Sequence, residues 1–315
     1  MKNKLNILII GRTEILYQSM LDFLDYGHKI TGIITGNAAP EYKKNEHDFQ
    51  LFAKEQDIPF LCINSFKSTE AVEFIEKHSY SSDIGISMNF PTLVPKRIID
   101  VFPLGILNAH GGDLPRYRGN ACQAWAILNK EEKIGLCIHK MVPELDAGDI
   151  ISRDYMTISI NTKIGDVFKW FEHRIPALFL DAITELKRNS DYVLEIQSIE
   201  PANSLRCFPR NSEDGKIDWT QPAEDIIRLI NASSEPYSGA YCFYENKKVI
   251  IWEAKLNKDY PPYLGVPGQV THIDKKNKTL DIITGNGIIT LTRVEIENDA
   301  YSIFDKIKSV RKRLK

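Results

Sequence analysis

Long apolar runs are missing from this 315-residue chain: no stretch approaches the roughly 18 apolar residues a membrane-spanning helix needs. A strong charge of either sign is also missing. Lys and Arg number 40 against 42 Asp and Glu, a net charge of −2, which argues against a surface built mainly to hold nucleic acid. Cysteine is sparse: five residues, odd in number and widely scattered, with no C-x-x-C spacing. That pattern fits neither a disulfide framework nor a zinc ribbon; it fits a reducing, cytoplasmic setting in which thiols serve as small core residues. The apolar run at 5–10 is too short for a secretory signal, is followed by no small-residue cleavage site and ends against Arg12.

Several motifs of cofactor and nucleophile chemistry are absent as well. After the first apolar run comes I-G-R-T-E, without the G-x-G-x-x-G turn that lets a backbone approach a pyrophosphate, so a dinucleotide is not expected. No G-x-x-x-x-G-K-[ST] loop and no G-x-S-x-G elbow occur, which removes P-loop hydrolysis and the serine-hydrolase triad. The seven histidines form no H-x-x-x-H pair, and no Cys/His cluster has zinc spacing; no metal is expected.

What the first half does have is alternation. Residues 5–10 are an apolar run of strand length broken only by Asn6, 14–26 carry helical spacing at Ile15, Leu16, Met20, Phe23 and Leu24, and 30–35 form the next strand. Helices are expected over 48–56, 69–78 and 121–128, with a helical turn at 95–101. Strands are expected over 60–63, 84–88, 105–109, 135–141 and 149–158. This order implies right-handed crossovers and an α/β, Rossmann-like, mostly parallel sheet. A long amphipathic helix follows over 162–188. The texture then changes: 201–218 is irregular and polar, 222–233 is helical, and short strands fall at 241–244, 248–255, 268–273, 279–284 and 287–293. They suggest a smaller β-rich domain, OB-like or an open barrel. The expected division is 1–203 and 204–315. The basic tail at 306–315, K-I-K-S-V-R-K-R-L-K, reads as a solvated helix face.

The candidate chemistry lies in two polar knots. Residues 107–119 read L-N-A-H-G-G-D-L-P-R-Y-R-G, and 144–150 read E-L-D-A-G-D-I. Ligands of open α/β sheets sit beyond the carboxyl ends of strands, where Asn108 and His110 fall. Two residues apart on an extended backbone, their side chains share a face. Asp146 lies in a turn with Gly148 that can carry a carboxylate back toward His110. An amide and an imidazole can hold a developing oxyanion, and a carboxylate can take the proton of an attacking nitrogen. The set points to acyl-group transfer.

Residues 108–119, together with 145–150, resemble the formyltransferases that use 10-formyltetrahydrofolate, and the resemblance runs along nearly the whole chain. It implies a Rossmann-like catalytic domain with Asn108, His110 and Asp146 as the catalytic set. It also places the folate near Ser87, Met88, Asn89 and Phe90 (I-S-M-N-F-P) and against the loop carrying Val142, Leu145 and Asp146, with main-chain groups holding most of the pteridine.

Members of this family differ in the acceptor. Methionyl-tRNA formyltransferases carry a long basic insertion after the second strand; here 36–49 is short and its only Lys or Arg residues are Lys43 and Lys44. Tyr117, Arg118 and Gly119 are followed by Asn120, where transfer-RNA and aminoarabinose formyltransferases usually show Arg. The segments 210–219, 234–243 and 248–254 resemble sugar-nucleotide N-formyltransferases, which act on a nucleotide-linked amino sugar en route to O-antigen and other surface glycans. The resemblance implies Tyr117, Arg118, Gly119 and Asn120 at the acceptor, with Arg118 alternatively bracing the loop. Arg210 is the expected cation for a pyrophosphate, and Tyr237 and Trp252 the expected aromatic faces for a base. The expected acceptor is a dTDP- or UDP-linked amino sugar such as dTDP-4-amino-4,6-dideoxyglucose. The alternatives are methionyl-tRNA formylation, formyltetrahydrofolate hydrolysis and a silent sugar-nucleotide binder. A homodimer through the C-terminal part is expected, with strands such as 249–252 pairing between subunits.

Overall fold

The computed structural model describes residues 4–299 and 302–315. The chain divides into two compact units, one of Met1–Cys122, Ile134–Met156 and Lys169–Cys207, the other of Gln123–Lys133, Thr157–Phe168 and Phe208–Lys315.

In chain order the elements begin with β1 (Asn6–Gly11), α1 (Glu14–Asp25), β2 (Lys29–Thr35), α2 (Glu46–Glu55), β3 (Phe60–Cys62), α3 (Thr69–Ser79), β4 (Ile84–Met88), α4 (Lys96–Ile99) and β5 (Ile106–His110). There follow β6 (Tyr117–Gly119), α5 (Cys122–Leu128), β7 (Lys133–Lys140), β8 (Ile150–Thr157), α6 (Ile164–Arg188) and β9 (Leu205–Cys207). The remainder is α7 (Ala223–Ser233), β10 (Ala240–Tyr244), β11 (Lys247–Asn257), β12 (Val270–Asp274), β13 (Thr279–Ile283), β14 (Ile288–Ile296) and α8 (Ile303–Lys306).

The first unit is built on a seven-stranded sheet in the order β3-β2-β1-β4-β5-β7-β8. Its strands β1, β2, β3, β4 and β5 run parallel, and β7 is antiparallel to β5. Continuous apolar strands suit a sheet covered on both faces: Ile7, Leu8, Ile9 and Ile10 of β1 are all fully buried. The helices start where the sequence supplies caps. Thr13 accepts from Leu16 N–H, Asn45 and Asp48 form a reciprocal capping box, and Ser68 accepts from Ala71 N–H. The chain turns from β1 toward β2 on one side and reaches β4 on the other, so the carboxyl ends of β1 and β4 flank a topological switch point.

One pairing was not expected from the sequence. Tyr117–Gly119 forms a short parallel pair with Leu205–Cys207, giving a separate two-stranded sheet.

The second unit holds a five-stranded antiparallel sheet in the order β10-β11-β14-β13-β12, packed around a core that includes Ile226, Ile230, Val249, Ile251, Ile282, Leu291 and Leu314. Two expectations are corrected here. The strand containing Val249 and Trp252 is β11, which is hydrogen-bonded to β10 on one side and β14 on the other, so it has no edge to offer a second copy. The tail is not a solvated helix face either: α8 stops at Lys306, and the last residues join both edges of the sheet. Phe243 and Lys315 exchange backbone hydrogen bonds at 2.6 and 2.8 Å, while Val270 N–H reaches Lys312 O and Leu314 N–H reaches Gly268 O. The side-chain charges of this tail hid backbone pairing, which carries no charge signature.

No helix among the described residues is long and apolar enough to cross a membrane.

Candidate active site

β5 ends the central part of the sheet, and its alternation does what the sequence suggests: Asn108 and His110 stand on one face, with Ala109 buried on the other. Its neighbours bring further groups. Ser87 of β4 and His139 of β7 are the register partners of Asn108 on either side. The Asn108 amide nitrogen lies 3.2 Å from His139 Nε2. His110 is 7% exposed; its Nε2 donates to the Tyr117 carbonyl at 2.7 Å, which turns Nδ1 toward Asp146 Oδ2, 3.5 Å away. Asp146 Oδ1 is 3.7 Å from His139 Nε2. Asn108, His110 and Asp146 therefore converge.

Asp146 sits at φ +50°, a left-handed conformation that Asp tolerates better than most residues. The turn around it is tight. A Cβ on Gly148 would fall 1.8 Å from Lys140 O, so only glycine fits there. Gly119, at φ +108°, donates its N–H to Asp146 Oδ2 at 2.9 Å, and a Cβ there would meet Cys207 O at 2.3 Å. The strand β6 thus anchors His110 through one carbonyl and Asp146 through one N–H.

The electrostatics follow from this packing. Burial opposes the charged form of Asp146, but the His110 and His139 rings, the Gly119 N–H and Arg206 outweigh it and hold the carboxyl below its ordinary range. Burial pushes the His139 imidazole down to about 4, against the pull of Asp146. His139 Nδ1 donates to Lys140 O at 2.9 Å, so a neutral His139 carries its proton there and offers Nε2 as acceptor to the Asn108 amide.

The segment the resemblance assigns to folate lies at the switch point. Ser87 is buried, Met88 O accepts from Arg12 N–H at 3.0 Å, and Asn89 is held at φ +51°. Arg12 Nε donates to Asn89 O at 2.8 Å, and the Asn89 amide donates to Tyr42 Oη. Phe90 lies against Phe66 at 4.8 Å between centroids, and with Met141 it borders the buried cluster of Phe66, Val94 and Ile98. Val142 and Leu145 are half-buried in the loop between β7 and β8.

Of the residues that the resemblance assigns to the acceptor, Tyr117 is 3% exposed and Asn120 is exposed, with its N–H on Cys207 O. Arg118 directs its guanidinium to Gln197 and to Ser198 O. Arg210, Tyr237 and Trp252 lie in the second unit. Arg210 donates to Ala232 O, Asp214 O and Ser233 Oγ and stands over the Trp125 ring. Tyr237 meets Phe168 edge-on, and Trp252 donates to Glu295 beneath Arg293. Among the described residues no group of three His, Cys, Asp or Glu is placed to hold a metal ion.

Residues 4–183 match the family described as Formyl transferase, and 210–308 match Formyl transferase, C-terminal domain. The chain belongs to the formyl transferase family. A methionyl-tRNA formyltransferase of Akkermansia muciniphila is 31% identical over 248 residues, 78% of this chain and 76% of that protein. The N-formyltransferase from Helicobacter canadensis, solved with folinic acid and dTDP-3-aminofucose, superposes with a TM-score of 0.68 at 17% identity, over 92% of this chain and 99% of that one. HypX from Aquifex aeolicus, solved with tetrahydrofolic acid, gives 0.61 at 18% identity over 94% of this chain; the match spans 45% of HypX. At these identities the two solved structures speak for the fold.

Two residues that sequence reasoning passed over stand out in this formyl transferase. His139 is seven positions before Asp146 in a buried strand, and only its register opposite Asn108 gives it meaning. Gln197 lies in an irregular segment; its signal was a polar residue among outward-facing apolar ones, which needs coordinates to see.

Proposed function

We propose that the chain moves a formyl group from 10-formyltetrahydrofolate to the amine of a nucleotide-linked amino sugar, of the dTDP-4-amino-4,6-dideoxyglucose kind. The observation that carries the formyl-transfer reading is the meeting of Asn108, His110 and Asp146 at one spot, with Asp146 Oδ2 3.5 Å from His110 Nδ1. The folate donor supplies an activated formyl carbon. One Asn108 N–H is directed to His139, and the other serves the oxygen that gains charge when the amine attacks. His110, anchored through Nε2, turns Nδ1 to the same place and, when protonated, donates to that oxygen. Asp146 takes the proton that the attacking nitrogen loses, directly or through water. A proton is returned to the departing folate nitrogen, and the products are the N-formyl amine and tetrahydrofolate.

The sugar acceptor is supported by the region after β2. Its two lysines sit in surface ion pairs, Lys43 with Glu172 at 2.5 Å and Lys44 with Asp48 at 2.9 Å, so the segment offers little net positive charge to a phosphate backbone. Tyr117, Gly119 and Asn120 are the proposed acceptor side of the loop; for Tyr237, Trp252 and Arg210 the proposal rests on the resemblance alone. Arg210 already serves three acceptors, so the two aromatic residues are the first to test. The 31% identity to a methionyl-tRNA formyltransferase favours the second reading, formylation of charged initiator tRNA. A cytoplasmic site of action suits either.

Purified protein with 10-formyltetrahydrofolate is offered dTDP-4-amino-4,6-dideoxyglucose and initiator methionyl-tRNA in parallel. Gain of one formyl group by the sugar alone supports the proposal, and gain by the tRNA alone transfers the assignment to the second reading. Formate release with no acceptor gain removes both. An Asn108→Ala variant is expected to lose roughly 100- to 1,000-fold in kcat.

A further inference from the structure

Residues 194–199 place apolar side chains outward and an amide inward. Leu194 is 52% exposed, Ile196 78% and Ile199 90%, whereas Gln197 is 4% exposed. The informative pattern is a buried polar group beside exposed large apolar ones, since burial alone favours the reverse. Something specific holds Gln197 inside.

Its side chain reaches the turn that carries Asp146. Gln197 Nε2 donates to the Asp146 carbonyl at 2.9 Å and to the Gly148 carbonyl at 2.5 Å. Its Oε1 accepts from Arg118 Nη2 at 2.8 Å and from Arg118 Nε at 3.3 Å, and the same Nη2 donates to Ser198 O at 3.0 Å. The arginine fixes which end of the amide faces which way: an oxygen toward a guanidinium forces the nitrogen toward the two carbonyls. Buried carbonyls need such partners, and here they belong to the residue at φ +50° and to the glycine beyond it.

Arg118 lies between Tyr117, whose carbonyl anchors His110, and Gly119, whose N–H anchors the Asp146 carboxylate. The three consecutive residues of β6 therefore fix the imidazole, the amide clamp and the carboxylate. We propose that Gln197, oriented by Arg118, is a positioning residue that sets the backbone of the Asp146 turn and so the carboxylate against Gly119 and His110. This rests on the formyl-transfer reading for its consequence in turnover, though not for its geometry.

The test combines a substrate-free measurement with a kinetic one, in the full chain. The Asp146 carboxyl is followed by carbon NMR as pH is varied, in the wild type and in Gln197→Leu. The groups that face it are His110 of β5, His139 of β7, the Gly119 N–H of β6, Arg206 and Cys207 of β9, and Cys122 of α5. Loss of the clamp is expected to raise its titration midpoint as the Gly119 bond loosens. In formyl transfer, kcat is expected to fall by up to roughly 100-fold with KM for the acceptor unchanged, as small misplacements at a reacting centre do. Combining Gln197→Leu with Asp146→Asn is expected to cost little beyond Asp146→Asn alone, because both changes act on one group. If Gln197→Leu does not fold, Arg118→Met and Arg118→Lys carry the same comparison. The midpoint and kcat move in the former and recover partly in the latter.

A folded clamp variant with an unmoved Asp146 midpoint and wild-type kcat overturns the proposal. So does Arg118→Met raising acceptor KM alone, which makes that arginine a substrate contact. A wild-type chain that formylates nothing defeats the formyl-transfer reading, while the titration still decides the clamp.

Discussion

Asn108 and His139 are register partners across the antiparallel contact of β5 and β7, with the amide nitrogen of one 3.2 Å from Nε2 of the other. The imidazole is an acceptor only while neutral, and it is kept neutral by burial. The orientation of the Asn108 amide, the proposed oxyanion donor, therefore depends on a group that need never touch a substrate. Replacing His139 by Leu frees the amide to rotate. The expected loss in kcat is roughly 10- to 100-fold with little change in either KM; a variant that turns over like the wild type removes this role.

The same burial links His139 to acid stability. Its folded pKa of about 4 lies below the ordinary 6.5, so the unfolded chain binds more protons between those values and stability falls as pH drops through that window. The contribution is on the order of a few kcal/mol, complete above the ordinary value and lost as pH falls through the folded one. His28 and His78 are also lowered, chiefly by burial, and share the sign. Urea midpoints measured from neutral pH downward are expected to fall less steeply in His139→Leu; parallel curves contradict the assignment.

Asp146 is held below the ordinary carboxylate value of 3.8. As the proposed base, Asp146 keeps its charge through the mildly acidic range, so the acid limb of kcat/KM is expected to lie below that of a free carboxylate. Asp146→Asn is expected to lower kcat by roughly 100- to 10,000-fold and to remove the carboxylate's share of the limb. A limb unchanged in the variant assigns it to another group.

Gly112 lies against the His110 anchor. A Cβ there would be 2.6 Å from His110 Nε2, 2.7 Å from Tyr117 O and 3.0 Å from Cys122 Cβ, so Gly112→Ala pushes apart the bond that turns Nδ1 toward Asp146. The expected cost is about 1–3 kcal/mol in unfolding free energy, with a fall in kcat larger than the loss of folded protein explains. Equal losses of both would make Gly112 a matter of packing.

Leu314 tests the tail. It is 2% exposed, belongs to the core of the second unit, and its N–H bonds Gly268 O. Leu314→Ala is expected to cost about 2–5 kcal/mol by urea denaturation, as core truncations do. A negligible change would return the tail to the solvent-facing role its charges suggest.

Much of this was legible in the residues. The Ile and Leu run of β1 announced a buried parallel strand, and the spacing of Asn108 and His110 announced a shared face, because side-chain periodicity is local. His139 and Gln197 were not legible: one acts through strand register and the other through contacts made 49 and 51 residues away. The pairing of β6 with β9 escaped for the same reason, since Tyr117–Gly119 reads as loop chemistry until Leu205–Cys207 lies beside it.

That three-residue strand has a consequence for how the chain can vary. Tyr117 presents a carbonyl to His110 and Gly119 an N–H to Asp146 from the two ends of one three-residue strand. Sliding the segment by one position swaps donors for acceptors and reverses every side chain. Insertions and deletions between Pro115 and Cys122 are thus far more damaging than substitutions, and a functional descendant of this chain keeps that stretch constant in length.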